Sequence, residues 1–229
     1  MSREKLDNKE KIVYTKNERS LVWGERTMTT KEKILDAALE LFSQRGYGGV
    51  SVRDIARAVG IRESSLYNHF PSKRAVFDGI VDLCVQQSEQ YFRGRGLPFD
   101  QGDDTSIYQG IPAERLQEII ERTFRYFFDA PWNGRFRRLL LLSQFAEPRC
   151  RDLYRQLYRD KCIQIQASIF SALMDRGELR REDPLAVAAE FHGPMFMFIH
   201  TCDSFEEARP LIRAHVEQFQ KNYAWRERA

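Results

Sequence analysis

The chain has 229 residues, 42% hydrophobic and 30% charged, enough apolar material for one medium domain or two small ones sharing helices. Its longest apolar runs, Leu139–Leu142 and Pro194–Ile199, fall far short of the ~18 residues a membrane span needs. No apolar signal-peptide core opens the chain, so a cytoplasmic location without a membrane partner is expected. Cys84, Cys150, Cys162 and Cys202 are scattered without CxxC or Cys/His spacing, which reads as reduced thiols and no metal site. The net charge of +3 says little about partners, but residues 1–95 hold 17 basic and 13 acidic side chains against 19 and 20 in the rest, a slight surplus of the kind a local phosphate-binding patch requires.

Residues 1–27 are polar and lack a clean apolar period. They read as a flexible arm or at most a weak helix, with Met28 as an alternative start of translation. A helix follows. Thr29 and Glu32 have capping-box spacing, and Ile34, Leu35, Ala38, Leu41 and Phe42 recur with helical period up to a stop at Gly46. Ser51 and Asp54 form a second box, opening a short helix with Ile55, Ala56 and Val59 inward and Gly60 at its end. Three residues later comes a third, carrying Leu66, Tyr67 and Phe70. Pro71-Ser72 breaks it, and a longer helix is expected from Lys73 to about Tyr91. Glycines and prolines mark residues 93–113 as a loop. Four or five further helices are expected, near 113–129, 132–145, 148–176, 184–202 and 206–225. Gly177 supplies a C-terminal stop and Asp183-Pro184 an N-terminal start, while the last helix could begin at Pro210 instead. No strand-like alternation appears, so the fold class is all-α. The expected divisions are an arm (1–27), a helix-turn-helix domain (28–92) and a helical regulatory domain (93–229).

Two short helices joined by a three-to-four-residue turn, the first ending in glycine, have the geometry of a helix-turn-helix, here at about residues 52–70. The second helix can enter a DNA major groove. It carries Glu63, Ser64, Ser65, Asn68 and His69 around a buried Leu66, with small hydroxyl groups that allow close approach and both donate and accept. Tyr67 and His69 can reach phosphates, and Lys73 opens the next helix, where charge and free N–H groups both favour a phosphate.

Thr30–Leu83 closely resembles the N-terminal domain of tetracycline-repressor (TetR) family regulators. The resemblance is carried by Ala38, Leu41, Phe42, Gly46, Tyr47, Ser51, Val52, Ile55, Ala56, Val59, Gly60, Ile61, Ser64, Leu66, Tyr67, His69, Phe70 and Lys73. It implies a DNA surface made of Ser51, Arg53, Arg62, Glu63, Ser64, Ser65, Tyr67, Asn68, His69 and Lys73. It also implies a double-stranded, palindromic operator bound by a dimer and a small-molecule effector that releases it. Arg62 departs from the family, which has Ser or Thr capping the recognition helix.

The resemblance further implies a C-terminal helical domain that binds the effector and dimerises through its last two helices. Residues 184–202 are apolar nearly all round, and Leu211, Ile212, His215, Val216, Phe219 and Tyr223 form a stripe suited to an interface. Aromatic residues between the helices, joined by a few polar ones, suggest an effector site built from Phe124, Phe128, Trp132, Gln144, Tyr158, Gln166, Phe170, His192 and Phe196, with His200 a further polar candidate. Arg151, Arg155 and Arg159 share one helix face and read as a solvated stripe. No motif for nucleophilic, metal or phosphate-loop catalysis occurs, so neither enzyme activity nor a cofactor is expected. A regulator without an effector, and a helical adaptor or enzyme keeping the headpiece as scaffold, are the alternatives.

Overall fold

The computed structural model describes residues 28–223. The expected arm and residues 224–225 of the expected last helix lie outside this range. Among the described residues every regular element is helical, as expected. The headpiece comprises α1 (Thr30–Arg45), α2 (Val52–Val59), α3 (Glu63–Tyr67) and α4 (Lys73–Arg93). After a loop with one 3₁₀ turn come α5 (Ala113–Asp129), α6 (Pro131–Ser143), α7 (Pro148–Arg155), α8 (Lys161–Asp175), α9 (Pro184–Thr201) and α10 (Phe205–Tyr223).

Local chemistry explains the headpiece boundaries. Thr29 N–H donates to Glu32 Oε2 at 2.8 Å and Glu32 N–H to Thr29 Oγ1 at 3.3 Å. Ser51 and Asp54 reciprocate in the same way, at 2.9 and 3.2 Å. Each box satisfies two N–H groups that the helix start would orphan. Gly60 ends α2 in the left-handed conformation (φ 76°). Its N–H reaches Arg57 O at 3.2 Å, and Ile61 N–H reaches Ala56 O at 3.0 Å. This pair of bonds is the Schellman arrangement, and it sets the turn that aims α3. No side chain caps α3 at Arg62, in keeping with the missing Ser or Thr.

Helices α7 and α8 run on from one another, as the single expected helix does, but Gln156–Asp160 between them takes a π-helical turn. Such one-turn bulges occur often at functional sites. This one buries Tyr158 while its neighbours Gln156 and Arg159 stay exposed. Helix α10 starts at Phe205 rather than Pro210, because Ser204 Oγ accepts Glu207 N–H at 3.2 Å and Glu207 Oε2 accepts Asp203 N–H at 2.8 Å. On α1, Leu39 takes a fully buried place and Leu41 is only half-buried. The reason is that α1 packs against both the other headpiece helices and α6, which widens its buried face.

One hydrophobic core extends from Ile34, Phe42, Ile55 and Leu66 in the headpiece to Trp132, Phe136, Leu139 and Tyr158 beyond it. A second joins α5 with α8, α9 and α10. Polar clamps cross between headpiece and remainder. Arg135 on α6 lies 3.2 Å from both Asp36 and Glu40 on α1. Arg149 on α7 lies 2.7 Å from Asp78 on α4, and Ser143 Oγ accepts Tyr47 N–H at 2.8 Å.

A Cβ placed on Gly60 would meet nothing within 4 Å, so Gly60→Ala isolates the backbone strain. It should cost about 1–2 kcal/mol, read as a lower denaturation midpoint at unchanged m-value.

Candidate nucleic-acid interface and apolar cavity

Helix α3 is held by one fully buried anchor, Leu66, with Phe70 behind it. Around that anchor Arg62, Glu63, Ser64, Tyr67, Asn68 and His69 are exposed and Ser65 is half-buried. Tyr67, at 47% exposure, is one of the few large apolar-bodied side chains left in solvent, although a buried headpiece core lies directly beneath it. Arg53 stands exposed on α2, and Arg57 stands exposed one turn further on. Arg57 belongs to the same surface, but the family pattern leaves its position open, so motif matching does not single it out. The assembled face presents hydroxyl, amide, imidazole and guanidinium groups, the set that reads base edges and phosphates.

Two of the expected contacts carry structural duties. The Ser51 hydroxyl donates to Asp54 Oδ2 at 2.6 Å and caps α2. These bonds to Ser51 hold the Asp54 carboxyl below the usual carboxylate range. The Lys73 ammonium donates to Tyr47 O and Val50 O, each at 3.0 Å, and lies 4.2 Å from the Tyr47 ring centre. It therefore closes the α1–α2 turn onto the start of α4, with one N–H left for a phosphate.

A cavity of about 190 Å³ lies between α4, α5, α6, the π turn and α8 to α10. Of the effector-site candidates, Phe124, Trp132, Tyr158, Gln166, Phe170 and His192 line it. Three other candidates do not. Phe128 turns away onto Phe205, at 6.1 Å between ring centres. Gln144 has left α6 and bonds back to Leu141 O at 3.2 Å. Phe196 packs on the His200 ring at 4.2 Å, on the side of α9 where His200 joins Tyr154 at 2.6 Å. Phe196 stands four residues from both His200 and His192, with ring centres 4.2 and 5.9 Å away, and of the three only His192 lines the cavity.

Asn133 and Lys161, and Cys84, Ser88 and Phe92 of α4, also line the cavity. Asn133 could have been found, because with Phe136 and Leu140 it holds the i, i+3, i+7 positions of one face. The α4 contribution has no local signal. Burial keeps the lining titratable groups uncharged: it lowers the His192 pKa, raises that of Tyr158 well above the ordinary value, and pushes the Cys162 thiol up to about 12. Lys161 alone among the lining residues is charged; its ammonium is 2.9 Å from Asp100 and 3.4 Å from the Phe99 ring centre.

The expected interface stripe on the last helix is largely spent inside the chain, since Ile212, Val216, Phe219 and Tyr223 are buried in its own core. The outer apolar face lies instead on α9, with Leu185 and Met197 more than half exposed and Ala186, Ala189 and Gly193 between them; Leu211 of α10 joins it. The arginine stripe is solvated, with Arg151 and Arg159 each paired to a neighbouring aspartate. Among the described residues no cluster of metal-binding side chains occurs, and no helix is long and apolar enough to cross a membrane.

Residues 34–80 match the family described as "Bacterial regulatory proteins, tetR family". Over 54 residues the chain is 46% identical to the biofilm operon icaADBC HTH-type negative transcriptional regulator IcaR of Staphylococcus aureus (strain Newman), a match covering 24% of this chain. The chain thus spans about 29% of the length of that relative. Over the larger part of the chain the likeness is one of fold. SmeT in complex with triclosan superposes with a TM-score of 0.61 at 20% identity, covering 86% of this chain and 93% of the other. A protein from Saccharomonospora viridis in complex with choline gives 0.61 at 20% identity, covering 86% and 98%.

Two outcomes follow from this geometry. Lys73→Met should lower headpiece stability by about 1–3 kcal/mol in the absence of DNA, since it strands two carbonyl acceptors; a melting temperature equal to wild type would show that the lysine serves phosphate alone. The depressed pKa values of His192 and His200, both caused first by burial, make the unfolded chain bind more protons below the ordinary histidine value. Their contribution to stability is full above about pH 6.5 and lost as pH falls. Thermal melts should therefore drop between pH 7 and pH 5, less steeply in His192→Phe.

Proposed function

The headpiece makes this chain a member of the tetR family of bacterial regulatory proteins, and we propose that it is a transcriptional repressor whose grip on DNA is released by a small molecule in the apolar cavity. Two copies, joined through the outer face of α9 with Leu211, present two α3 helices to a palindromic operator. Exposed Arg53, Arg57, Tyr67, Asn68 and His69 supply base and phosphate contacts, with Ser64 and Ser65 close to the groove floor. Repression follows the sense of IcaR, a negative regulator by name.

The observation that carries this reading is that α4 belongs to both sites. Its first residue, Lys73, clamps the turn that leads to α2, and its last turns, at Cys84, Val85, Ser88 and Phe92, wall the cavity. A molecule that binds better when the wall moves shifts the headpieces by its differential affinity for the two arrangements. Structures of the same fold that hold triclosan and choline support a small-molecule site in this chain. A regulator without an effector is disfavoured by the size and apolar lining of the cavity.

Gel-shift titration with DNA from upstream of the chain's own gene tests the reading. A sequence-selective, salt-sensitive shift is expected, and its absence under every salt condition refutes it. Tyr67→Ala should weaken binding about tenfold or more, as loss of one good contact does, while the sedimentation mass stays that of the wild-type dimer.

A further inference from the structure

The cavity walls are apolar, but the polar groups set in them form one ordered chain. His192, 4% exposed, has Nε2 at 2.8 Å from the Tyr158 carbonyl. A carbonyl can only accept, so Nε2 carries the proton. In the neutral ring that burial favours, Nδ1 is then an acceptor. Gln166 Nε2 lies 3.4 Å from that Nδ1, which turns the amide nitrogen toward the imidazole and the oxygen away. The oxygen, Gln166 Oε1, is buried and has no hydrogen-bond partner among the described residues. Asn133, 2% exposed, accepts the Tyr158 hydroxyl on Oδ1 at 2.8 Å. Its amide nitrogen Nδ2 is likewise buried and unpartnered. Both residues line the cavity. The π turn that buries Tyr158 is what joins the two halves of this chain, through its hydroxyl on one side and its carbonyl on the other.

A buried donor and a buried acceptor left unmade are costly, and a molecule that satisfies both recovers that cost. Charge complementarity is lacking on either side. No carboxylate lines the cavity, so an ammonium ligand finds no counter-ion. The single lining cation, Lys161, is already paired with Asp100 at 2.9 Å, so an anion meets a charge that a carboxylate has partly offset. The aromatic walls do attract cations in general, which makes a quaternary ammonium the strongest competitor.

We propose that the cavity takes an uncharged, mainly aromatic molecule of one or two rings carrying both a hydrogen-bond donor and an acceptor, the donor meeting Gln166 Oε1 and the acceptor meeting Asn133 Nδ2. A carboxamide has this pairing. The ring count follows from the volume of about 190 Å³, against the ~150 Å³ of a dry cavity that admits benzene. The inference rests on the reading of the cavity as the effector site and narrows what fits there.

Calorimetric titration of the full chain with four probes on one ring system provides the test: naphthalene, 2-naphthamide, 2-naphthoate and 2-naphthyltrimethylammonium. 2-Naphthamide should bind about tenfold or more tightly than each of the others, as two added hydrogen bonds predict. In Asn133→Leu and in Gln166→Met its advantage over naphthalene should shrink to about threefold or less. Either ion binding as tightly as the amide overturns the proposal while leaving the cavity a ligand site. So does an advantage that survives both substitutions. If a variant fails to fold, the wild-type ranking decides alone. Binding of none of the four refutes both the ligand class and the site. An amide that binds without changing DNA affinity keeps the ligand class and refutes the effector role.

Discussion

Helix α4 is the element on which both halves of the molecule depend. A rod of 21 residues cannot bend freely, because each interior turn is closed by its own backbone bonds. Its start, capped by Ser72, is tied to the rest of the headpiece by Lys73 on two carbonyls and by Phe77 against Tyr47 at 5.3 Å between ring centres. Its end is tied to the remainder by Ser88, whose hydroxyl lies 2.6 Å from that of Tyr126. In the proposed mechanism, a displacement of the cavity wall would be delivered to the base of the helix-turn-helix rather than absorbed between them.

The second connection is α6, and it is electrostatic where α4 is mechanical. Arg135 bridges Asp36 and Glu40 from a position less than a fifth exposed. Pairs held that far from solvent are screened less than surface pairs, and a misaligned partner leaves a costly charge behind. Asn133, two residues earlier on the same helix, is in the cavity. Helix α6 thus links the cavity lining to α1, and the Ser143–Tyr47 bond holds the far end of the contact. The two routes meet in one continuous core, so headpiece and remainder share side chains instead of touching across a solvated seam.

The chemistry of the cavity is separate from the fold that makes it. Chains with this architecture hold molecules as unlike as triclosan and choline. In the proposed reading, what selects is the handful of polar atoms in the wall and the charges missing from it. Here that handful centres on Tyr158, turned inward by a one-turn departure from α-helical register.

Much of the headpiece was legible because its determinants are local. Thr29 with Glu32, Ser51 with Asp54, and Gly60 each act within about five residues, so helix ends and the turn between α2 and α3 follow from neighbours in the chain. The all-α class and the burial of Leu66 and Phe70 come from periodicity, which is equally local. Exposure of the α3 side chains was legible for the same reason. Other features required the tertiary structure, because they depend on what packs against what. Lys73 is a clamp because the α1–α2 turn comes within reach of its ammonium. Phe128, Gln144 and Phe196 leave the cavity because neighbouring helices offer them other partners. Asn133 and α4 enter it because the bundle closes around them. The sequence alone determined a helix-turn-helix with a helical partner half. Only the packing of distant helices decided where the cavity lies and which polar atoms it leaves free, since a hydrogen bond is made or missed by a few tenths of an ångström that no sequence spacing specifies.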